Sequence, residues 1–548
     1  MIVMKITLLK QQNRLDVGRL FVFSILLAGL LSGCNRRQVS EPVIIATAAS
    51  FPTLEGMQPI VPTRSIKINP DDIVVAPTIS TATSVPIETR ERPTPVVYDR
   101  GIPTPDAPHY EADISGTISY TILPGDTLFI IAARFGLTIE DVMAANGLEA
   151  NDFIVAGDTL GIPVEVSGQS PNWKIIPDSE LVYGPTVRDF QTGDFLRRFY
   201  PQSTLLRYKE NVEGRPLNGA GVIDLVAIRF SVNPRLLLAM VEYRTSWVSR
   251  DDPLFTSNIF PMGFERPGQE GLYNQLSIAA DLLNLGFYGR AEGGLRTISF
   301  SDQTRLIIDP EINHGTSGVQ VWLASHTNAI PQRWEFEAGP DGFYTTYENM
   351  FGNPFGFAYE QPLVRSGIEQ PPITFPWEPD VPWYFTGGPH GGWASGSAWA
   401  ALDFGPDKEK RGCYVSEAWI VAATAGTIEY SDFGGVVLDL DGDGDMGTGW
   451  VLVHWHVDSA GRIESGTQVQ PGDRIGHPSC EGGFSSGTHL HFARRFNGYW
   501  IAADGDIPFV IDGWTSSGTG NEYDGFLVKG DESKEACVCA EDGNELIR

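Results

Sequence analysis

Positive charge is scarce in this sequence of 548 residues. Its 39 Lys and Arg stand against 68 Asp and Glu, a formal net charge of −29, with the acids spread along the chain. Such a surface repels phosphate backbones and anionic headgroups, so nucleic acid is excluded as a partner class. Long apolar runs are missing as well. The run Leu20–Leu31 covers only 12 residues, where a membrane span needs about 20. Cysteine is sparse at five, whereas 60 Gly and 38 Pro point to turns and linkers rather than long helices. A hydrophobic share of 42% over this length is enough for several cores, and about 100–200 residues per domain suggests three or so folded units.

The start is a leader rather than a fold. Lys5, Lys10, Arg14 and Arg19 precede the apolar run, and Leu31-Ser32-Gly33-Cys34 closes it. That quartet resembles the lipobox of bacterial lipoproteins. The resemblance implies cleavage before Cys34, lipid on that residue, and an exported protein anchored to the membrane and facing the cell wall or periplasm. A plain secretory signal cut nearby and an uncleaved anchor are the alternatives, and both also export the chain. In an oxidising compartment Cys413, Cys480, Cys537 and Cys539 allow three pairings. Cys413 with Cys480 and a separate tail pair is the favoured one, although a bridge across a single residue in Cys537-Val538-Cys539 is awkward.

Residues 35–113 are rich in Pro, Thr, Ser and Val without apolar periodicity, as in PTISTATSVPIETRERPTPVV. That composition predicts an extended tether. The texture then changes. Ile118, Tyr120 and Ile122 alternate as a strand, and Leu128, Ile131, Ala132 and Phe135 recur at helical spacing. Thr138 with Asp141 caps a second short helix, and Thr159–Val164 returns as a strand. This βααβ order, with YTILPGDTLFIIAARFG, AANGL and AGDTLGIP, resembles the LysM domain over residues 114–166. The resemblance implies binding of peptidoglycan glycan in a groove involving Gly125, Asp126, Thr127 and Leu128, with Asn151 to Ile154 opposite. The plainer reading makes most of the apolar members core.

Residues 173–375 read as mainly helical, from the periodicity of VIDLVAIRFSVNPRLLLAMVEYRTSWV, LYNQLSIAADLLNLGFYG and NHGTSGVQVWLASH. FSVNPRLLLAMVEYRTSW is similar to the lysozyme-like lytic transglycosylase helix that carries the catalytic glutamate. In that register the position holds Arg244, and Glu242 falls on another helical face. Glycan cleavage requires a carboxylic acid at the glycosidic oxygen. The block is therefore expected to be non-catalytic, facing glycan or acting as scaffold; a hydrolase rearranged around Glu242 is the alternative.

From Trp377 the sequence is β-rich and punctuated by glycine, and six of the nine histidines lie between His390 and His491. In GTHLHFARRF, His489 and His491 share one strand face while Leu490 turns to the core. His390 stands in a glycine-rich loop, and Asp403 interrupts the apolar ALDF. Two histidines and one aspartate that leave a position for water are what a catalytic zinc requires. HWHV repeats the same-face pattern with His454 and His456, supplying bases beside the metal.

This constellation, with AWIVAATAGTIEYS, HWHV, VQPGDRIG and SSGTHLHF, resembles the lysostaphin/LytM-like zinc metallopeptidases that cut peptidoglycan peptides. The resemblance implies one zinc held by His390, Asp403 and His491, with His456 and His489 polarising water or stabilising the oxyanion. Two departures stand out. Twelve residues separate His390 from Asp403 where the family has three, so GWASGSAWA must loop out, and His454 replaces the more usual Tyr. Between the strands, DLDGDGDMGTGW matches the opening of an EF-type loop at Asp439, Asp441, Asp443 and Gly444 but has Trp450 at its twelfth position. A low-affinity calcium site and a bare acidic turn both fit. The peptidase-like block is placed at 376–515 and an acidic tail at 516–548.

The sequence thus predicts a multidomain α+β protein: βααβ LysM module, mainly helical lysozyme-like middle domain, mainly antiparallel β-sheet metallopeptidase domain. The function implied is a surface-anchored peptidoglycan endopeptidase. The alternative is a non-catalytic peptidoglycan-binding envelope protein that scaffolds or activates another hydrolase.

Overall fold

The structure is a computed structural model that describes residues 117–548, except 123–126, 129–130, 133–137, 150–152, 156, 164–165, 253–257, 293–294, 301–303, 327–328 and 360–361. The leader with Cys34, the 35–113 segment, and Gly125, Asp126 and Asn151 lie outside the described residues. No helix among the described residues is long and apolar enough to cross a membrane.

The first module pairs β1 (Thr117–Thr121) antiparallel with β2 (Thr159–Pro163), from Thr117 opposite Pro163 to Thr121 opposite Thr159. Between them runs α1 (Ile139–Asn146), which opens on a capping box in which Thr138 and Asp141 satisfy each other's backbone N–H and ends on Gly147 at φ 63°. Asn146 ties the helix to β2, donating to the Gly161 carbonyl and accepting from its N–H. Ile122, Ile131, Ala132, Val142, Leu160 and Ile162 form a small core of their own. Leu128 and Ile154 pack against it, so two of the groove residues implied by the LysM resemblance spend at least part of their surface on packing. Thr127 is exposed.

The middle block is helical where periodicity places helices. The long apolar stretch 222–248 divides into α2 (Gly219–Phe230) and α3 (Pro234–Thr245). The break is local chemistry: Ser231 takes φ 53°, and Asn233 caps a helix whose first residue is proline. α4 (Leu272–Ala291) lies along α5 (His314–Ala324) at close range. Gly286 makes that approach feasible, since a Cβ there would sit 2.7 Å from the Gly318 Cα.

The last block is built on an antiparallel sheet containing β3 (Trp383–His390), β4 (Ala401–Gly405), β5 (Gly426–Asp432), β6 (Gly435–Asp439), β7 (Trp450–Trp455), β8 (Gln468–Val469) and β9 (Leu490–Phe496), in the spatial order β8-β5-β6-β7-β9-β4-β3. Alternation sends its residues to two cores. Leu402, Phe404, Leu452, Leu490 and Phe492 fill one beneath the sheet. Ala401, Val451, Val453, Trp455 and Ala493 join the other, which is continuous with the core of the helical block. The two blocks therefore share a hydrophobic interior.

The residues after 515 are folded rather than trailing. β10 (Trp514–Gly518), β11 (Gly525–Lys529) and β12 (Glu532–Glu535) make a meander, and β13 (Glu545–Leu546) pairs with Trp383–Tyr384 at the edge of the main sheet. Acidic composition hid these strands, whose alternating apolar residues are few. Cys537 and Cys539 are bonded to each other, and Cys413 is bonded to Cys480.

Candidate metal centre

β9 and β4 lie in a register that places His491 opposite Asp403, and both face the side shared with the helical block. His390, at the end of β3, reaches them because β3 slips its register against β4 twice, between Phe385 and Gly387 and between Gly387 and His390. The segment GWASGSAWA between His390 and Asp403 then loops away and docks on the helical block. Asp281 of α4 accepts from the Gly396 N–H at 2.7 Å. The Trp393 ring packs on Trp455 at 4.6 Å between centroids, and the Arg229 guanidinium lies 4.9 Å from it.

Three atoms converge. His390 Nε2 is 3.0 Å from His491 Nδ1 and 3.2 Å from Asp403 Oδ1, and His491 Nδ1 is 3.3 Å from Asp403 Oδ1. The opposite ring nitrogens are committed to carbonyls: His390 Nδ1 to Gly388 at 2.8 Å, and His491 Nε2 to Gly392 at 3.0 Å. Each of those nitrogens donates its N–H, which fixes the tautomers and turns both lone pairs towards the carboxylate. Ligands at about 2.0 Å from a tetrahedral zinc are about 3.3 Å apart, so the triangle has the size such an ion requires. A convergence of lone pairs in a buried site is unfavourable without a cation between them. The residues present therefore fit zinc.

Electrostatics couple Asp403 to His390, whose burial lowers its pKa but is outweighed by the facing carboxylate, so that it is raised. Burial works to raise the Asp403 pKa, but the facing His390 and then His489 outweigh it and hold the carboxylate ionised, well below the usual range. Burial pushes His491 down. It also drives His456 well below its ordinary value, assisted by the neighbouring His489 and His491.

His456 and His489 flank the triangle, with ring centroids 4.5 Å apart. His456 Nδ1 donates to the Glu481 carbonyl at 3.1 Å, and His489 Nδ1 to that of Gly487 at 2.8 Å, while His489 Nε2 lies 3.5 Å from Asp403 Oδ2. The Cys413–Cys480 bridge lies beside them: Cys480 adjoins Glu481, and Cys413 adjoins Tyr414, whose N–H donates to the Thr488 hydroxyl.

His454 does not join this group, contrary to the same-face expectation for HWHV. β7 ends at Trp455 and His456 takes φ 67°, so alternation no longer relates the two rings. His454 packs on Phe492 at 4.9 Å on the opposite side of the sheet. One residue near the centre has no signal in the sequence. Tyr523, between β10 and β11, stacks on His390 with centroids 4.2 Å apart, and its backbone pairs with Gly388 and Pro389. Tyr523 is 52% exposed. A cavity of about 1530 Å³ lined by Phe287, His314, Tyr499 and the 362–374 connection includes none of these residues.

In the helical block, Glu242 is tied into the turn after α3, accepting from the Val248 and Ser249 N–H groups and from the Ser249 hydroxyl at 2.6 Å. Arg244 is buried 3.6 Å from Glu337.

Comparison with known proteins places these blocks. A model described as the LysM domain matches residues 120–163, and one described as the LasA N-terminal domain matches residues 174–362. Protease LasA of Pseudomonas aeruginosa strain UCBPP-PA14 is 23% identical over 307 residues, covering 53% of this chain and 69% of that protein. Its counterpart in strain PAO1 is 23% identical over 311 residues with the same coverage. Among solved structures, the deep-sea M23 metalloprotease pseudoalterin is 23% identical, covering 33% of this chain and 99% of its own, with a TM-score of 0.27. The catalytic domain of lysostaphin from Staphylococcus simulans is 19% identical, covering 23% and 89%, with a TM-score of 0.16. Matches to the LysM domain and the LasA N-terminal domain thus fall on the first module and on the helical block.

Proposed function

We propose that this protein is a zinc-dependent endopeptidase of the cell envelope that hydrolyses peptide bonds of peptidoglycan. The observation that carries the reading is the triangle of His390 Nε2, Asp403 Oδ1 and His491 Nδ1, with both imidazoles locked by the Gly388 and Gly392 carbonyls. These three residues would hold the ion. When bound, zinc supplies Lewis acidity, which acidifies water and polarises a peptide carbonyl.

The chain's own groups handle the protons. His456, kept neutral by burial and with Nδ1 committed to Glu481, has its Nε2 lone pair available to accept a proton from water. The proton taken by His456 passes to the leaving amine through His489, whose ring centroid lies 4.5 Å away on the more open side. Tyr523 covers one face of His390 and keeps that ligand away from solvent. The LysM domain holds the enzyme on its polymeric substrate, raising the local concentration of peptide bonds. Lipid on Cys34 would confine this action to the envelope. The helical block acts as scaffold, since Glu242 spends its carboxylate on the local turn.

The test is incubation of the zinc-loaded protein with purified peptidoglycan and mass spectrometry of the released fragments, beside Asp403→Ala. New peptide amino termini produced only with Asp403 present are the expected result. No release from a protein carrying one zinc per chain would favour the attachment or activator role instead.

A further inference from the structure

The loop between β6 and β7, Leu440–Gly449, is far richer in carboxylates than a hairpin connection needs. Asp439, Asp441 and Asp443 each bring one ligand oxygen within 4.8 Å of the others. Asp441 and Asp443 are exposed, as acidic groups on turns commonly are, and alone they would signify nothing. Asp439 is different. It is the last residue of β6, fully buried, and its Oδ2 has no hydrogen-bond partner in the structure. Its other oxygen accepts the Asp441 N–H at 3.2 Å. A buried carboxylate oxygen with no donor is costly, and among the described residues no cationic side chain is paired with Asp439. The loop also closes tightly around these groups: Gly449 has φ 59°, and a Cβ there would sit 2.3 Å from Asp441 Oδ2.

We propose that Asp439, Asp441 and Asp443 form a second metal site, separate from the His390–Asp403–His491 centre, which takes a hard divalent cation of the calcium class. The donors are all oxygen, which suits calcium rather than zinc. Trp450 stands where a bidentate carboxylate would complete an EF-type loop, so affinity falls in the range of about 10⁻⁴–10⁻³ M typical of extracellular calcium modules. The cation satisfies Asp439 and sets the path of the loop, and the loop is also where the β-domain meets the helical block. Arg188 donates to the Asp443 carbonyl at 3.0 Å and pairs with its carboxylate at 3.4 Å. Gly447 lies against Gly184, whose carbonyl would be 2.8 Å from a Cβ at that position. Calcium therefore braces the seam between the two blocks.

Trp450 adjoins the site and serves as an internal antenna for terbium. The zinc-loaded full chain is titrated with Tb³⁺ under excitation of tryptophan, then with Ca²⁺ as competitor, and thermal unfolding is followed with and without Ca²⁺. The expected result is sensitised emission that saturates at one equivalent, is displaced by millimolar Ca²⁺, and requires at least tenfold more Tb³⁺ in Asp439→Asn. Asp441→Asn, a change at an exposed position, gives the same loss if the buried variant folds poorly. Calcium raises the unfolding temperature of the parent protein and not of the variants. Absence of emission, or emission and thermal shift unchanged in both variants, overturns the site and leaves Asp439 a protonated structural carboxyl.

Discussion

Two carbonyl contacts decide which nitrogen His390 and His491 each turn towards Asp403. The residues of this triangle were legible from their types and from strand alternation, because His489, Leu490 and His491 obey it. His454 was not, because alternation stops where His456 turns to φ 67°. Tyr523 was not either: a lone tyrosine in an acidic segment carries no periodicity, and only the β10–β11 connection brings it to His390. The misplaced histidine makes a measurable prediction. His454 is buried and its pKa is pushed down to about 4 by burial, against about 6.5 in the unfolded chain. The neutral form is favoured in the fold, so its contribution is complete above about pH 6.5 and is lost as pH falls through 4, amounting to about 3 kcal/mol. Urea unfolding of His454→Phe between pH 7 and 4 should show a shallower loss of stability than the parent. An equal slope would mean that the fold does not disfavour the charged ring.

Among the elements, the Cys413–Cys480 bridge and the α4–α5 contact are where small changes should act most. The bridge spans 67 residues, and closing a loop of that length restrains the unfolded chain by about 4 kcal/mol. It also braces Glu481, which holds His456, and the Tyr414 contact to Thr488 next to His489. Cys413→Ser should therefore lower the unfolding temperature and cut peptidase activity while zinc content stays at one per chain; lost zinc would place the bridge's effect on the ligands instead. Gly286→Ala puts a methyl 2.7 Å from the Gly318 Cα, and overpacking of this kind costs about 1–3 kcal/mol, read directly by denaturant unfolding. The helices themselves were visible in the sequence as apolar periodicity. The break between α2 and α3 was marked in the sequence by Asn233-Pro234, which the apolar periodicity on either side masks. The insertion between His390 and Asp403 was visible as extra length, but its docking on Asp281 of α4 needed the fold.

On the scale of the whole molecule, the helical block and the β-domain behave as one body. The Ser231 hydroxyl donates to the Gly498 carbonyl at 2.7 Å, Arg495 donates to the Ser231 hydroxyl at 3.0 Å, and the Trp500 N–H donates to the Tyr288 hydroxyl at 3.0 Å. Trp393, Trp455 and Trp500 meet the helical block around the same seam. Removal of residues 174–362 should leave an apolar face that aggregates, so a β-domain made alone is expected to be insoluble or oligomeric by size-exclusion chromatography; a stable monomer would contradict the shared core. Separate sequence textures suggested separate domains, because composition records the character of each block and not the surface where they merge. Metal removal and return test most directly whether the His390–Asp403–His491 triangle makes this molecule a peptidase. Protein stripped with a chelator and then given one equivalent of zinc is compared for release of new amino termini from peptidoglycan. The stripped protein should release nothing and recover fully on zinc addition, with Asp403→Ala inactive throughout. Cleavage that persists without metal, or that Asp403→Ala retains, would contradict it.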